Sequence, residues 1–286
     1  MSHLGDGRIR LVLAALIFST GGAAIKATTM DAWQVAGFRS GIAALTLLLL
    51  LSGARRGWTW RALLVGVSYA ATLFLFVAAN KLTTSANSIF LQSTSPLYVL
   101  ALSPLLLRES VRPRDIGFMF AVGLGLACFF VQREPALATA PDPFRGNLLA
   151  AVSGITWALT VMGLRWLGTD ERRGSSYAAM VWGNALVLFI ALPFALPVSA
   201  GAADWATIVY LGVVQISVAY MLLASGIRQV TALEASLLLL VEPAFNPVWS
   251  WLVHGEVPGA WALAGAVIIF GATTLRTWYE SRVAVA

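Results

Sequence analysis

Long apolar runs, separated by short polar or basic breaks, recur along the whole chain. They cover residues 11–25, 32–51, 62–80, 82–107 and 116–132, and then 146–164, 175–196, 205–227, 232–253 and 257–275. Most approach the ~20 apolar residues that a helix needs to cross bilayer hydrocarbon. None alternates with the two-residue period of a strand. In lipid the backbone groups must be satisfied inside a helix or a closed barrel, so the pattern predicts ten transmembrane helices.

The ninth run breaks the pattern in an informative way. It reads TALEASLLLLVEPAFNPVWSWLVHGEVP, with Glu234 and Glu242 inside it, Pro243 and Pro247 further on, and Gly255-Glu256 at its close. The fourth run is a weaker copy, TSANSIFLQSTSPLYVLALSPLLLRESVRP. Thr84, Pro96 and Glu109 recur as Thr231, Pro243 and Glu256, each 147 positions later, about half the chain length. Three landmarks at one offset indicate an internal duplication. The first five-helix repeat occupies 1–132, a charged, proline-bearing linker 133–145, and the second five-helix repeat 146–286. With an odd number of helices per repeat, the second set enters the membrane inverted. Secondary transporters use that plan, with the substrate site between the halves near the bilayer midplane.

Composition narrows the class. Apolar residues make up 59% of the chain and charged residues 11%, against roughly a quarter charged in soluble domains; mean hydropathy is +0.80. The net charge of +6 comes without a basic run or an aromatic RNA-type motif, which argues against nucleic acid as a partner. The basic residues lie between apolar runs. With the N-terminus inside, Arg8, Arg10, Arg55, Arg56, Arg61, Arg108, Arg112, Arg114, Arg165, Arg172, Arg173, Arg228, Arg276 and Arg282 face the cytoplasm, against Lys26, Lys81, Arg133 and Arg145 outside. By the positive-inside rule both termini are cytoplasmic. Read alone, the first run behind Arg8 and Arg10 also has the form of a signal peptide, but the duplication requires it as a helix. The single cysteine, Cys128, excludes a disulfide framework and reads as a small buried apolar residue.

Ten helices in two sets of five, with TSAN…SP…RES after helix three and TALE…EP…GE after helix eight, resemble the EamA-type transporters of the drug/metabolite transporter superfamily. The resemblance covers nearly the whole chain and is nearest to the YddG-type exporters of aromatic and other neutral amino acids. It implies an all-α membrane protein that exports such substrates across the bacterial inner membrane by alternating access. Helices one to four and six to nine would surround a central cavity, with helices five and ten at the periphery. The implied partners are an amino acid and the lipid bilayer; a single duplicated chain is read as functional on its own.

The residues supply their own candidates. Ionisable groups inside a membrane are costly and face protein or water. Glu242, midway along helix nine, reads either as a substrate-ammonium or proton site or as a protonated carboxyl bonded to a neighbouring helix. Glu234 reads as a helix-terminal charge. Arg39, within Gly37-x-x-x-Gly41, reads as a partner for a substrate carboxylate, as a structural pairing, or as a side chain snorkelling to lipid. Helical spacing places Asn87, Ser95 and Tyr98 on one face of helix four, and Tyr69, Thr72, Phe76 and Asn80 on one face of helix three. Ser153, Thr156, Trp157 and Thr160 share a face of helix six, and helix eight adds Gln215 and Tyr220. Together they predict a weakly polar, aromatic-lined cavity suited to a zwitterion. The alternative is Ser and Thr bonded back to their own helices, with aromatics in interfacial belts; Trp58, Trp60, Trp166, Trp205 and Trp278 fit the belt. Pro96 and Pro243, equivalent by the repeat, each remove a backbone donor and are the candidate hinges.

Two other classes compete. A metalloenzyme would gather His, Asp or Glu, yet only His3 and His254 occur, and no Gly-x-Ser-x-Gly or paired-carboxylate arrangement stands out. The chain is therefore read as a non-enzyme with no metal site and no cofactor. A channel would call for an oligomer with a ring of charges or carbonyls.

Overall fold

The computed structural model describes residues 2–55, 57–106, 113–131, 135–168, 175–226, 238–239 and 241–285. Thr231, Glu234 and Glu109, with Arg56, Arg108, Arg112, Arg133, Arg172, Arg173 and Arg228, lie outside them. The first apolar run forms α1 (Ser2–Ser19) and α2 (Gly21–Ala27), and the second forms α3 (Ala32–Leu50). Next come α4 (Trp60–Leu82), α5 (Ser85–Gln92), α6 (Ser95–Leu106) and α7 (Pro113–Val131). The second half holds α8 (Pro143–Gly168), α9 (Ser175–Ala195) and α10 (Ala202–Val209), which continues through a π-helical segment, Tyr210–Val218, into α11 (Ala219–Gly226). It closes with α12 (Val241–His254) and α13 (Ala260–Val285). Among the described residues there is no strand, only a bridge between Leu137 and Ala140 ahead of α8.

Among the described residues six helical stretches are long and apolar enough to cross a membrane: Gly7–Ala27, Ala32–Leu50, Trp60–Leu82, Pro143–Leu164, Ser176–Ala195 and Ala202–Leu223. Shorter apolar helices are Asp115–Val131 and Ala260–Arg276. Large apolar side chains on the outside of the bundle suit a lipid surface: Leu49 is 65% exposed, Phe120 74% and Val267 71%. Cys128 is buried, as its apolar setting predicts.

Two expected single helices are in fact broken, and in both the cause is local. In the first run, Ser19 and Thr20 turn their hydroxyls onto the carbonyls of Leu16 and Ile17, each at 2.7 Å. In the fourth, Ser93 and Thr94 do the same to Ile89 (2.7 Å) and Leu91 (2.6 Å). Such back-bonding competes with the helical ladder. Pro96, which cannot donate to Gln92, then falls in the first turn of α6, where a missing N–H is harmless. Pro243 likewise occupies the first turn of α12, while Pro104 and Pro247 lie inside α6 and α12.

Helices of the first and second halves of the chain pack on one another. α3 lies on α9 and α7 on α13; α4 lies on α8 as α1 lies on α11, and α5 on α8 as α1 on α12.

Candidate functional site

Where the helix breaks gather, a cavity of ≈ 120 Å³ opens inside the bundle. Phe18 enters it from α1, Arg39 from α3, and Thr72, Leu73 and Phe76 from α4. Ile89, Gln92 and Ser93 come from the α5–α6 break, Trp157 from α8, Gln215 and Ile216 from the π-helical segment, Tyr220 from α11 and Glu242 from the first turn of α12. Among the described residues the lining therefore carries one acid, one base, two amides and a set of aromatic rings. Phe18 meets Tyr220 edge-on at 5.0 Å, and Tyr69 backs Tyr220 at 5.6 Å in the same manner.

Arg39 is 2% exposed and donates from Nη2 to the carbonyl of Leu73 at 3.1 Å. That corrects the snorkelling alternative: its guanidinium points into protein, not toward lipid. Its Nε has no hydrogen-bond partner among the described residues. The π-helical segment brings Gln215 into the same lining, its amide against Gly21 of α2. A Cβ on Gly212 would stand 2.7 Å from the Arg39 carbonyl oxygen and 2.8 Å from Ile42 Cβ, so only glycine lets the two backbones approach this closely. Ser217 Oγ donates to the Gly212 carbonyl at 2.9 Å, across the wider turn.

Of the sequence-derived candidates, Arg39, Trp157, Gln215 and Glu242 line this cavity. Four others lie outside its lining. Tyr69 stands behind Tyr220 and is 1% exposed. Tyr98 packs near Gly154 of α8, where a Cβ would lie 3.3 Å from its ring. Ser95 is the first residue of α6. Asn87 belongs to a separate polar cluster, reaching Asn147 Oδ1 at 3.3 Å and Thr83 Oγ1 at 3.4 Å. Much of the polar face expected on helices three, four and six bonds helix to helix: Thr72 Oγ1 donates to Thr156 Oγ1 (2.9 Å), and Gln92 Nε2 to Ser153 Oγ (2.6 Å). Phe18, Gln92 and Ser93 were missed. The available signal was adjacency: Phe18 precedes Ser-Thr-Gly-Gly, and Gln92 and Ser93 precede Pro96.

The bundle end that carries Lys26, Lys81 and the 135–142 connection is tied shut between the halves. Lys26 Nζ meets Glu256 Oε1 at 2.9 Å and donates to the carbonyls of Thr83 (2.7 Å) and Thr139. Thr29 donates through N and Oγ1 to the two carboxylate oxygens of Asp204, both at 2.8 Å. Thr83 Oγ1 donates to Asn147 Oδ1 at 2.8 Å. The Gly-Glu pair follows from this geometry. Gly255, at φ 69°, ends α12 in the left-handed conformation that favours glycine and turns Glu256 back, so that its Oε2 accepts from Ser85 N at 3.0 Å. Among the described residues no three of His, Cys, Asp and Glu gather as a metal site.

Comparison with known proteins agrees with this architecture. The EamA-like transporter family model matches twice, over residues 7–131 and 144–278. The pseudopaline exporter CntI of Pseudomonas aeruginosa is 27% identical over 281 residues, covering 93% of this chain and 94% of that protein. The uncharacterized transporter YyaM of Bacillus subtilis is 20% identical over 70% of this chain and 67% of its own length. A solved crystal structure, 18% identical, superposes with a TM-score of 0.65 over 98% of this chain and 99% of the other, and shows the fold alone.

Proposed function

The chain belongs to the EamA-like transporter family, and on that premise we propose that it exports amino acids, aromatic and other neutral ones, by alternating access. The observation that carries this reading is the pairing of Arg39 and Glu242 in one cavity walled by Phe18, Phe76, Trp157 and Tyr220. Arg39 offers its planar fork to an α-carboxylate and Glu242 its charge to an α-ammonium, while the rings take an apolar side chain. The cavity, ≈ 120 Å³, is well under the roughly 300–1,000 Å³ of pockets for drug-sized ligands, which favours a small metabolite. Export as the direction is supported by the relative from Pseudomonas aeruginosa, which is named an exporter.

In this reading the halves are inverted repeats, supported by the double match to one family model and by the reciprocal packing of the helices. Both termini face the cytoplasm of a bacterial inner membrane, so the Lys26–Glu256 end is the outer, closed end. The breaks at Thr20 and at Ser93–Thr94, with Pro96 and Pro243 beside the cavity, serve as hinges. One chain supplies both sides of the site and works as a monomer.

A second reading is favoured by the same relative, whose named cargo is pseudopaline: the site takes another small metabolite. Purified protein in liposomes preloaded with a panel of unlabelled amino acids, tested by counterflow of labelled tryptophan, separates the two. Saturable counterflow by neutral amino acids supports the first reading. Counterflow by none of the panel leaves the second.

A further inference from the structure

Glu242 does not stand alone on its helix. Asn246 and Ser250 follow at one-turn intervals, so the three share a face of α12. Asn246 is 0% and Ser250 1% exposed. Opposite them Ser85 and Ser88, both 0% exposed, share a face of α5. The two faces meet over α2: a Cβ on Gly22 would stand 2.9 Å from Ser85 Oγ and 3.0 Å from Asn246 Nδ2. Among the described residues, the hydroxyls of Ser85, Ser88 and Ser250 and both amide atoms of Asn246 have no hydrogen-bond partner. Buried polar groups in native interiors are matched by protein or by water. Ser85 and Asn246, brought together over Gly22, with Ser88 and Ser250 one turn further along the same two helices, make this seam polar enough to hold water.

The seam has two ends. One is Glu242, in the cavity. The other is Glu256, whose N donates to the Ser250 carbonyl at 3.4 Å and whose carboxylate holds Ser85 N and Lys26. Glu242 and Ser250 are eight residues apart, about 12 Å along a helix axis. We propose that the seam is a chain of bound water that carries protons between the Lys26–Glu256 end and Glu242. This rests on the transport reading above and extends it by assigning the proton as coupling ion. A hydronium beside Glu242 gives its proton to the carboxylate, leaving the neutral acid and water, and the reverse step releases it. Asn246 and the three serines orient the water and keep their own protons.

Among the described residues, the elements packed on α12 bring these charged and titratable groups: α2 brings Lys26, α5 brings none, and α1 carries His3, Asp6, Arg8 and Arg10 in its N-terminal half. His254, bonded through Nε2 to the Ala23 carbonyl at 2.8 Å, stands with Glu256. On the cavity side Glu242 shares its lining with Arg39 and Tyr220.

The test uses full-length protein in liposomes, in a Cys128→Ser background. Ser88→Cys and Ser250→Cys thiols are exposed to Ag⁺ from the Lys26–Glu256 side, and the thiol left free is counted with a maleimide after denaturation. Both should be consumed at least tenfold faster than an Ala43→Cys thiol, which replaces a fully buried residue of the apolar core. Adding Asn246→Leu should remove the difference at position 88. Thiols at 88 and 250 as slow as the one at 43 would overturn the proposal and leave a dry helix interface. In a second arm, Asn246→Leu should lose at least tenfold in pH-gradient-driven tryptophan accumulation while keeping tryptophan exchange. Unchanged accumulation, or accumulation driven by a sodium gradient instead, would overturn the proton role. If the wild type moves no tryptophan at all, the amino-acid reading fails by itself, and the Ag⁺ arm still decides the water path.

Discussion

Lys26 and Glu256, at opposite ends of the sequence, meet as a buried ion pair, with Nζ 2.9 Å from Oε1 and the two side chains 2% and 3% exposed. Removing one partner strands the other charge out of water, a loss of about 3–5 kcal/mol in buried pairs. Lys26→Met and Glu256→Met should each lower the unfolding temperature in detergent markedly. The double variant Lys26→Met, Glu256→Met should recover much of that loss, because no charge is then left unmatched. Additive losses in the double variant would mean that the pair is not coupled.

The same pair marks one end of the bundle, which faces outside in the proposed topology. In a Cys128→Ser background, Ala138→Cys lies exposed on the connection before α8, and Ser52→Cys lies exposed at the opposite end, just after α3. An impermeant thiol reagent added to intact cells should label position 138 and spare position 52. Reversed labelling would invert the topology.

Gly212 holds the π-helical segment against α3, with room for no Cβ beside the Arg39 carbonyl. Gly212→Val must push the two helices apart and move Arg39 and Gln215 within the cavity lining. Transport should fall more than tenfold, with a lowered unfolding temperature, while Gly201→Val, where a Cβ meets nothing within 4 Å, should be mild. Equal transport in the two variants would remove close packing at Gly212 from the account.

The apolar rhythm anticipated most helices to within a few residues, because a bilayer demands long uninterrupted runs. It did not anticipate the breaks at Thr20 and Ser93–Thr94, where hydroxyls capture carbonyls that an apolar pattern treats as helical. The π-helical segment was equally silent, since Tyr210–Val218 reads as apolar at any helical period. Within the site, Arg39 and Glu242 were found because charges in lipid need a reason. Asn87, Ser95, Tyr69 and Tyr98 were proposed from one helix at a time, whereas cavity lining depends on which helices converge. The Lys26–Glu256 pair joins positions 26 and 256, and no local signal connects them.

The breaks also set an expectation for Pro96 and Pro243, which open α6 and α12 next to Ser93 and Glu242 of the cavity. Substituting Ala restores a backbone donor and favours a continuous helix. Each variant should keep tryptophan binding within about threefold and lose turnover several-fold. Wild-type turnover in both would reduce the prolines to packing kinks.

Glu242 carries the sharpest test. It lines the cavity, partly buried, in the first turn of α12, and shares that lining with Arg39. Glu242→Gln keeps the shape and removes the charge. If the carboxylate holds the substrate ammonium, losing that charge-assisted bond should weaken tryptophan binding by roughly tenfold or more, and exchange should fall with it. If Glu242 instead carries the coupling proton, the variant should bind and exchange tryptophan normally but fail to accumulate it under a pH gradient. Binding is read by tryptophan quenching-independent calorimetry, and exchange and accumulation in liposomes with and without the gradient. The two roles are compatible when protonation of Glu242 releases the ammonium, and then both deficits appear together. Wild-type behaviour in all three assays would take Glu242 out of transport and leave it a structural hydrogen-bond donor.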